Sequence, residues 1–313
     1  MTLTELRYIV AVARERHFGR AAAACFVSQP TLSVAVKKLE EELAVQIFER
    51  HPHDVSVTRI GERIVEQARL VLEQAKAIKD IAGEGQDELR GELRLGVIYT
   101  VGPWLLPRLI PLMHRRAPEL TLLIDEDFTG NLAQKLRNAE IDMALVSLPF
   151  SMPSVQVEVL YEEPFVVALP RHHRLAGRKS IRADDLLDET LLLLRTGNCF
   201  REQVIAACPA CQGEALSRHR IQRTLEGSSI ETIRQMVAAG SGVTVLPFLA
   251  TRERTGINRM LDFRPFTRPA PAREIALAWR TSYPRPGIVQ LLRQAVVASE
   301  FPGDGIRVRV GKL

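Results

Sequence analysis

Apolar positions recur along the chain at two periods, and the change from one to the other divides it. From Thr2 to about Arg16, Leu6, Ile9, Val10 and Ala13 fall three or four residues apart, which is one stripe of a helix. Thr2 with Glu5 makes a capping box at its start. The small-residue run Ala21–Ala24 lets a second helix cross the first closely. A short turn, Phe26-Val27-Ser28, then opens a third amphipathic segment. There Val34, Val36 and Leu39 alternate with Thr31, Ser33, Ala35 and Lys37, so one face can pack while the other stays small and polar. Ser28 is placed to cap free backbone N–H groups, and Pro30 sits in the first turn, where its missing N–H costs little. Residues 18–50 therefore predict a helix-turn-helix. A helix that offers short side chains near its N-terminus suits the major groove of DNA. Residues 48–58 predict a wing carrying Arg50 and two histidines, His51 and His53. Arg50 is placed to reach a phosphate or the minor groove.

From about Thr58 to Gly83 the period lengthens into heptads. Ile64, Ala68, Val71, Ala75, Ile78 and Ala82 alternate spacings of four and three, a seam that favours a long helix paired with a second copy of itself. Gly83-Glu84-Gly85 ends it as a hinge. Beyond residue 90 short apolar runs of strand length alternate with helical segments. Strands are expected at Glu92–Ile98, Leu120–Asp125, Met143–Ser147, Val155–Tyr161, Phe165–Leu169, Leu191–Leu194, Ile221–Leu225, Val243–Leu246, Met260–Phe263 and Ile275–Trp279. Helices are expected at Pro103–Arg115, Asn131–Ala139, Cys199–Ala207, Ser229–Ala239 and Ile288–Ser299. Alternation of this kind predicts an α/β fold with parallel sheets, and the length predicts two small lobes with a cleft between them.

Composition changes this picture little. The chain has 313 residues, enough for two or three domains, with 46% hydrophobic and 25% charged residues. The net charge of +5 permits nucleic-acid binding. The first 58 residues nevertheless carry seven basic and seven acidic side chains, so the DNA reading rests on placement rather than bulk charge. The N-terminus has charges at Glu5, Arg7, Arg14 and Glu15 and no apolar core of the signal-peptide kind, and no apolar run approaches a membrane span. A cytoplasmic location is expected, with Cys25, Cys199, Cys208 and Cys211 resting as thiols. No phosphate-binding, dinucleotide, zinc-protease or serine-hydrolase motif is present. The wing histidines lack partners at ligand spacing, so neither an enzyme, a cofactor nor a metal is expected.

The second informative stretch is Thr196–Cys211. Gly197 and Asn198 suit a turn, and Cys199 falls at a helix N-terminus, where the dipole and free N–H groups stabilise a thiolate. Such a thiolate reacts with peroxide to give a sulfenic acid. Pro209 stops the helix just after Cys208. Nine residues at about 1.5 Å each would hold the two Cα atoms roughly 13 Å apart. A disulfide needs about 5.5 Å. Cys199 and Cys208 can pair only if the helix melts. Cys211 forms a CxxC with Cys208 and is a competing partner for either cysteine. Cys25, in Ala24-Cys25-Phe26, reads as a core residue.

His17–Ala22, Val27–Ser33 and Lys37–Arg50 resemble the winged helix-turn-helix of LysR-type transcriptional regulators. Tyr99–Pro107, Gly197–Gln203 and Ser228–Pro247 resemble the peroxide-sensing members of that family, and the likeness runs from Leu3 to about Pro286. The resemblance implies a winged DNA-binding domain at 1–58, a dimerising linker helix and hinge at 59–89, and a two-lobed effector domain, like a periplasmic binding protein, at 90–300. Its first lobe takes about 90–161 and 267–300, its second about 162–266, and 301–313 is a tail. It further implies that Gln29, Thr31 and Ser33 meet bases, that Pro30 belongs to the same DNA-binding set, and that Lys37 and Arg50 hold phosphates. Cys199 is then the peroxide-reactive cysteine and Cys208 the resolving one, with Thr100, Thr129, Asn198, Glu202 and Arg273 around the peroxide. Asn198 stands where histidine is usual and Glu202 where aspartate is. His219 or Gln222 would supply a further second-lobe group. Partners implied are double-stranded promoter DNA, hydrogen peroxide, a second copy through the linker helix, a tetramer through the effector lobes, and RNA polymerase. The alternative is a regulator of the same family answering a small metabolite in the inter-lobe cleft. A third class, a thiol enzyme, leaves residues 1–83 without a purpose.

Overall fold

A computed structural model describes all residues except 51–54, 84–87, 209–225, 253–255, 302, 304 and 310–313; the side chains of Arg50, Glu73, Lys76, Ala77, Lys79, Asp80, Ile81, Ala82 and Glu226 also lie outside the description. The chain divides into two units, Met1–Gln86 and Asp87–Leu313.

In the first unit, α1 (Leu3–Glu15) starts at Thr2, and both halves of the capping box form. Helices α2 (Phe18–Ala24) and α3 (Gln29–Leu43) follow. Ala21 is fully buried where α2 meets its neighbours, as the small-residue run requires. Ser28 caps α3 by accepting the Thr31 N–H. Leu32, Val36 and Leu39 are fully buried, but Val34 is 68% exposed. The inward stripe runs 32, 36, 39 at spacings of four and three, and Val34 lies two residues off it, on the far side of the helix. The expectation that Val34 packs is therefore corrected. Strands β1 (Phe48–Arg50) and β2 (Val55–Val57) pair antiparallel as the stem of the wing. The wing histidines lie outside the described residues. Helix α4 (Arg59–Gly83) buries Val65 and Ala68 in this core, while Val71 and Ile78 of its heptad seam remain exposed.

The second unit is built on an eight-stranded sheet. Its elements in order are β3 (Gly91–Ile98), α5 (Gly102–Arg116), β4 (Leu120–Asp127), α6 (Thr129–Arg137), β5 (Met143–Ser147) and β6 (Val155–Pro170). Then come β7 (Leu193–Leu194), α7 (Cys199–Ala207), β8 (Glu226–Gly227), α8 (Ile230–Ala238), β9 (Thr244–Pro247), β10 (Leu261–Pro265), β11 (Ala272–Arg280), α9 (Pro286–Val297) and β12 (Arg307–Val308). The sheet order is β10-β6-β11-β5-β3-β4, with β9 and β12 also on β6. In this sheet β3 pairs parallel with β4 and β5, whereas β11 runs against β5 and β6, so the sheet is mixed rather than parallel.

The reason is β6. Two strands were expected at 155–161 and 165–169, but one strand of 16 residues spans both. Its first part, to Pro164, pairs with β11, and its second part, from Phe165, pairs with β9 and β10. Glu162, Glu163 and Pro164 interrupt the apolar pattern because they sit at this changeover between lobes, not because the chain turns. The expected strand Ile221–Leu225 lies outside the described residues.

Among the described residues beyond 300, several are tied to β6. Phe301 packs on Tyr161 with ring centroids 5.3 Å apart. Arg307 and Val308 pair with Glu162 and Tyr161 of β6, and Arg307 and Arg309 both reach the Glu162 carboxylate. A charge at the strand changeover thus recruits two arginines that the alternation pattern could not assign. Among the described residues, no helix is long and apolar enough to cross a membrane.

Candidate functional site

Helix α7 is the centre of the site. Gly197, at φ +94°, makes the turn that only glycine takes easily, and Asn198 caps the helix by accepting the Phe200 N–H at 3.1 Å. Cys199 is its first residue and is half-buried. Cys208 closes the helix, is fully buried, and donates its backbone N–H to Val204 O at 3.0 Å. Neither cysteine is in a disulfide. The helix between them is intact over nine residues, about 13 Å at a normal rise. Cys211, His219 and Gln222 lie outside the described residues.

Phe200 and Gln203 tie α7 to its surroundings. Phe200 is buried edge-on to Phe165 of β6 at 5.2 Å. The Arg273 guanidinium lies 5.1 Å from the Phe200 ring centroid. Gln203 Nε2 donates to Ser147 Oγ at 2.8 Å and to Leu148 O at 2.9 Å, tying the helix to the end of β5.

Arg273, on β11, is buried and fully engaged. Its Nε and Nη2 donate to Glu163 Oε2 at 2.9 and 2.8 Å, its Nη1 donates to Thr100 Oγ1 at 2.8 Å, and its Nη2 donates to Thr100 O at 2.9 Å. The other Glu163 oxygen accepts the Leu249 N–H at 2.8 Å. One buried ion pair therefore ties the first lobe, through Thr100, to the changeover strand and the second lobe. Sequence reasoning placed Arg273 near the reactive cysteine but missed Glu163, which neutralises it. The available signal was a carboxylate at an otherwise apolar strand position. Burial, and secondarily Glu163, pushes the Tyr161 hydroxyl well above its usual range, so this ring stays neutral beside the pair.

The other predicted residues lie as follows. Thr129 is the first residue of α6, and its Oγ1 is buried with no hydrogen-bond partner in the protein. The preceding Phe128 stacks edge-on with Tyr99 at 5.3 Å and lies 5.0 Å beneath the Arg195 guanidinium. Asp127 is held below the usual carboxylate range: burial works against this, but hydrogen bonds from Lys135, Asn131 and the Phe128 N–H outweigh it. Its neighbour Glu126 is pushed up by burial. Glu202 points away, 68% exposed, with its carboxylate 4.0 Å from Arg201. Thr100 and Arg273 are thus brought together with Phe200, the second residue of α7, while Glu202 stands apart.

On the first unit, Gln29, Pro30, Thr31 and Lys37 are exposed on α3 and Ser33 is half-buried. Thr31 and Ser28 share a hydroxyl hydrogen bond of 2.8 Å, and Lys37 lies 3.7 Å from Glu41. Cys25 is half-buried and burial raises its thiol, as expected of a packing residue. No group of three metal-ligating side chains converges among the described residues.

Comparison with known proteins agrees with both units. Residues 3–62 match the bacterial regulatory helix-turn-helix proteins of the lysR family, and residues 86–299 match the LysR substrate binding domain. The chain is 38% identical over 299 residues to a hydrogen peroxide-inducible genes activator of Pectobacterium carotovorum subsp. carotovorum, covering 95% of this chain and 96% of that one. It is 37% identical over 301 residues to the DNA-binding transcriptional dual regulator OxyR of Escherichia coli K12, covering 95% of each. Among solved structures, full-length OxyR C199D from Pseudomonas aeruginosa superposes with a TM-score of 0.77 at 48% identity, over 96% of this chain and 95% of that one. With a capped recognition helix in one unit and a two-lobed domain in the other, the chain belongs to the LysR family of bacterial helix-turn-helix transcription regulators.

Proposed function

We propose that this regulator senses hydrogen peroxide through reversible bonding of Cys199 to Cys208. The observation that carries this is their position at opposite ends of one intact helix, Cys199 half-buried and Cys208 wholly so. Peroxide oxidises the Cys199 thiolate to a sulfenic acid with release of hydroxide. The Cys208 thiol then displaces hydroxide from that sulfur, giving the disulfide and, with the thiol proton, water. The second step requires α7 to unwind, since about 13 Å must shrink to about 5.5 Å. Unwinding removes Phe200 from Arg273 and Gln203 from Ser147, which releases the helix from the first lobe.

Thr100 and the unpartnered Thr129 hydroxyl are the groups offered to peroxide, with Arg273 holding Thr100 and Asn198 setting the start of the helix. Glu202 takes part only through solvent. Gln29, Pro30, Thr31 and Ser33 face the bases of a promoter while Lys37 and Arg50 hold its phosphates. The exposed seam on α4 pairs two copies, effector lobes join dimers into a tetramer, and the assembly addresses RNA polymerase. A thiol switch of this kind belongs in a reducing compartment, the cytoplasm.

Peptide mapping of protein treated with stoichiometric peroxide is expected to yield a linked Cys199–Cys208 peptide. Linkage of Cys208 to Cys211, or an unmodified Cys199, would refute the pairing. Titration with candidate organic acids in place of peroxide separates the metabolite-binding alternative.

A further inference from the structure

Phe26 lies in the turn between α2 and α3 and is 95% exposed, the most open large apolar side chain among the described residues. Isolated exposed apolar residues are ordinary on protein surfaces. This one is unusual in its backbone. Phe26 has φ +58°, in the left-handed region that a bulky side chain disfavours. The hydrogen bonds explain why the position demands it. Phe26 N–H reaches Ala23 O at 3.1 Å and Val27 N–H reaches Ala22 O at 3.0 Å, the paired bonds that end a helix in a left-handed residue. Glycine or asparagine normally fills that place. Here an aromatic ring takes the strain and gains no packing in return, while the next residue, Val27, does the packing. Strain without local reward points to a use outside the folded chain.

The surroundings say what use. Phe26 is two residues before the Ser28 cap of α3 and adjoins the open run Gln29, Pro30 and Thr31. Its surface is therefore continuous with the face that a helix-turn-helix regulator sets into DNA. In the major groove the one apolar group on a base edge is the C5-methyl of thymine. We propose that Phe26 is a base-reading residue that seats its ring on a thymine methyl next to the bases met by α3. This rests on the placement of α3 in the groove, not on the redox reading.

The test uses the full chain and a duplex selected by it from a random library. Thymines of that duplex are replaced one at a time by deoxyuridine, which deletes only the methyl. Burying one such carbon is worth about a fourfold change in affinity. The unaltered chain is expected to lose about that factor at one thymine per half-site. Phe26→Asn, which suits a left-handed turn, is expected to melt no lower than the parent, to bind the parent duplex more weakly, and to be indifferent to deoxyuridine at that thymine. Phe26→Leu is expected to recover part of the affinity and of the deoxyuridine sensitivity. Equal affinity of Phe26→Asn and parent would overturn the proposal. So would a weaker Phe26→Asn with an unchanged deoxyuridine profile. Normal DNA binding with lost transcription would also overturn it, and would assign the ring to the polymerase. Enrichment of no duplex by the parent chain would remove the groove placement and the proposal together.

Discussion

At the scale of the residue, burial decides which charges matter. Glu163 and Arg273 have side chains about 1% exposed and share two hydrogen bonds, whereas Lys37 and Glu41 pair across a side-chain exposure near 70%. Exposed pairs of the second kind contribute about 0–1 kcal/mol. Breaking a buried pair from one side leaves an uncompensated charge and costs about 3–5 kcal/mol. Glu163→Gln is thus expected to lower the unfolding free energy of the regulatory domain, measured by urea titration, by about 3–5 kcal/mol, while Glu41→Gln leaves it within error. Equal effects of the two would show that Arg273 finds another partner. The role of Arg273 was only half legible in the sequence. A basic residue in a strand says that a counter-charge is needed, but Glu163 lies 110 positions away, and no local spacing connects them.

At the scale of the element, α7 is a helix whose two ends would have to meet in the proposed disulfide. Its boundaries, Cys199–Ala207, were readable because Asn198 caps the start and Pro209 forbids continuation. Any change that weakens the helix without touching the thiols should favour the disulfide. Ala206 is exposed on α7, and a glycine there costs about 0.5–1 kcal/mol of helix. Ala206→Gly is expected to move the equilibrium with a glutathione buffer about two- to fivefold toward the oxidised form. The rate of Cys199 oxidation by peroxide should stay unchanged. No shift in the buffer equilibrium would mean that the helix persists in the oxidised protein, and that redox state does not become shape. The changeover strand β6 shows the opposite case. Its apolar pattern breaks at Glu162-Glu163-Pro164, which reads locally as a loop, yet the backbone stays extended because both halves find ladder partners in different lobes.

At the scale of the whole molecule, the unsatisfied surface is the seam of α4. Val71 is 36% and Ile78 68% exposed, at positions that repeat with the heptad. A single copy leaves them in water, and a paired helix would cover them. Ile78→Glu is expected to shift the protein toward monomer in sedimentation at micromolar concentration and to weaken its grip on two-half-site DNA. An unchanged mass would place the dimer contact elsewhere.

Periodicity and capping chemistry are local, and what depends on them was determined by the sequence alone. That includes the helix-turn-helix with its Ser28 cap, the long heptad helix, the places of β3, α5, β4, α6 and β5 beyond residue 90, and the cysteine-bounded helix. Long-range contact decided the rest. The single β6 strand, the C-terminal strand laid against it, the Glu163–Arg273–Thr100 network and the outward turn of Phe26 each depend on a neighbour far along the chain or on a face no neighbour covers. A sequence pattern carries the period of an element. It does not carry which distant partner lies across from each side chain, and burial, charge pairing and exposure are set by that partner.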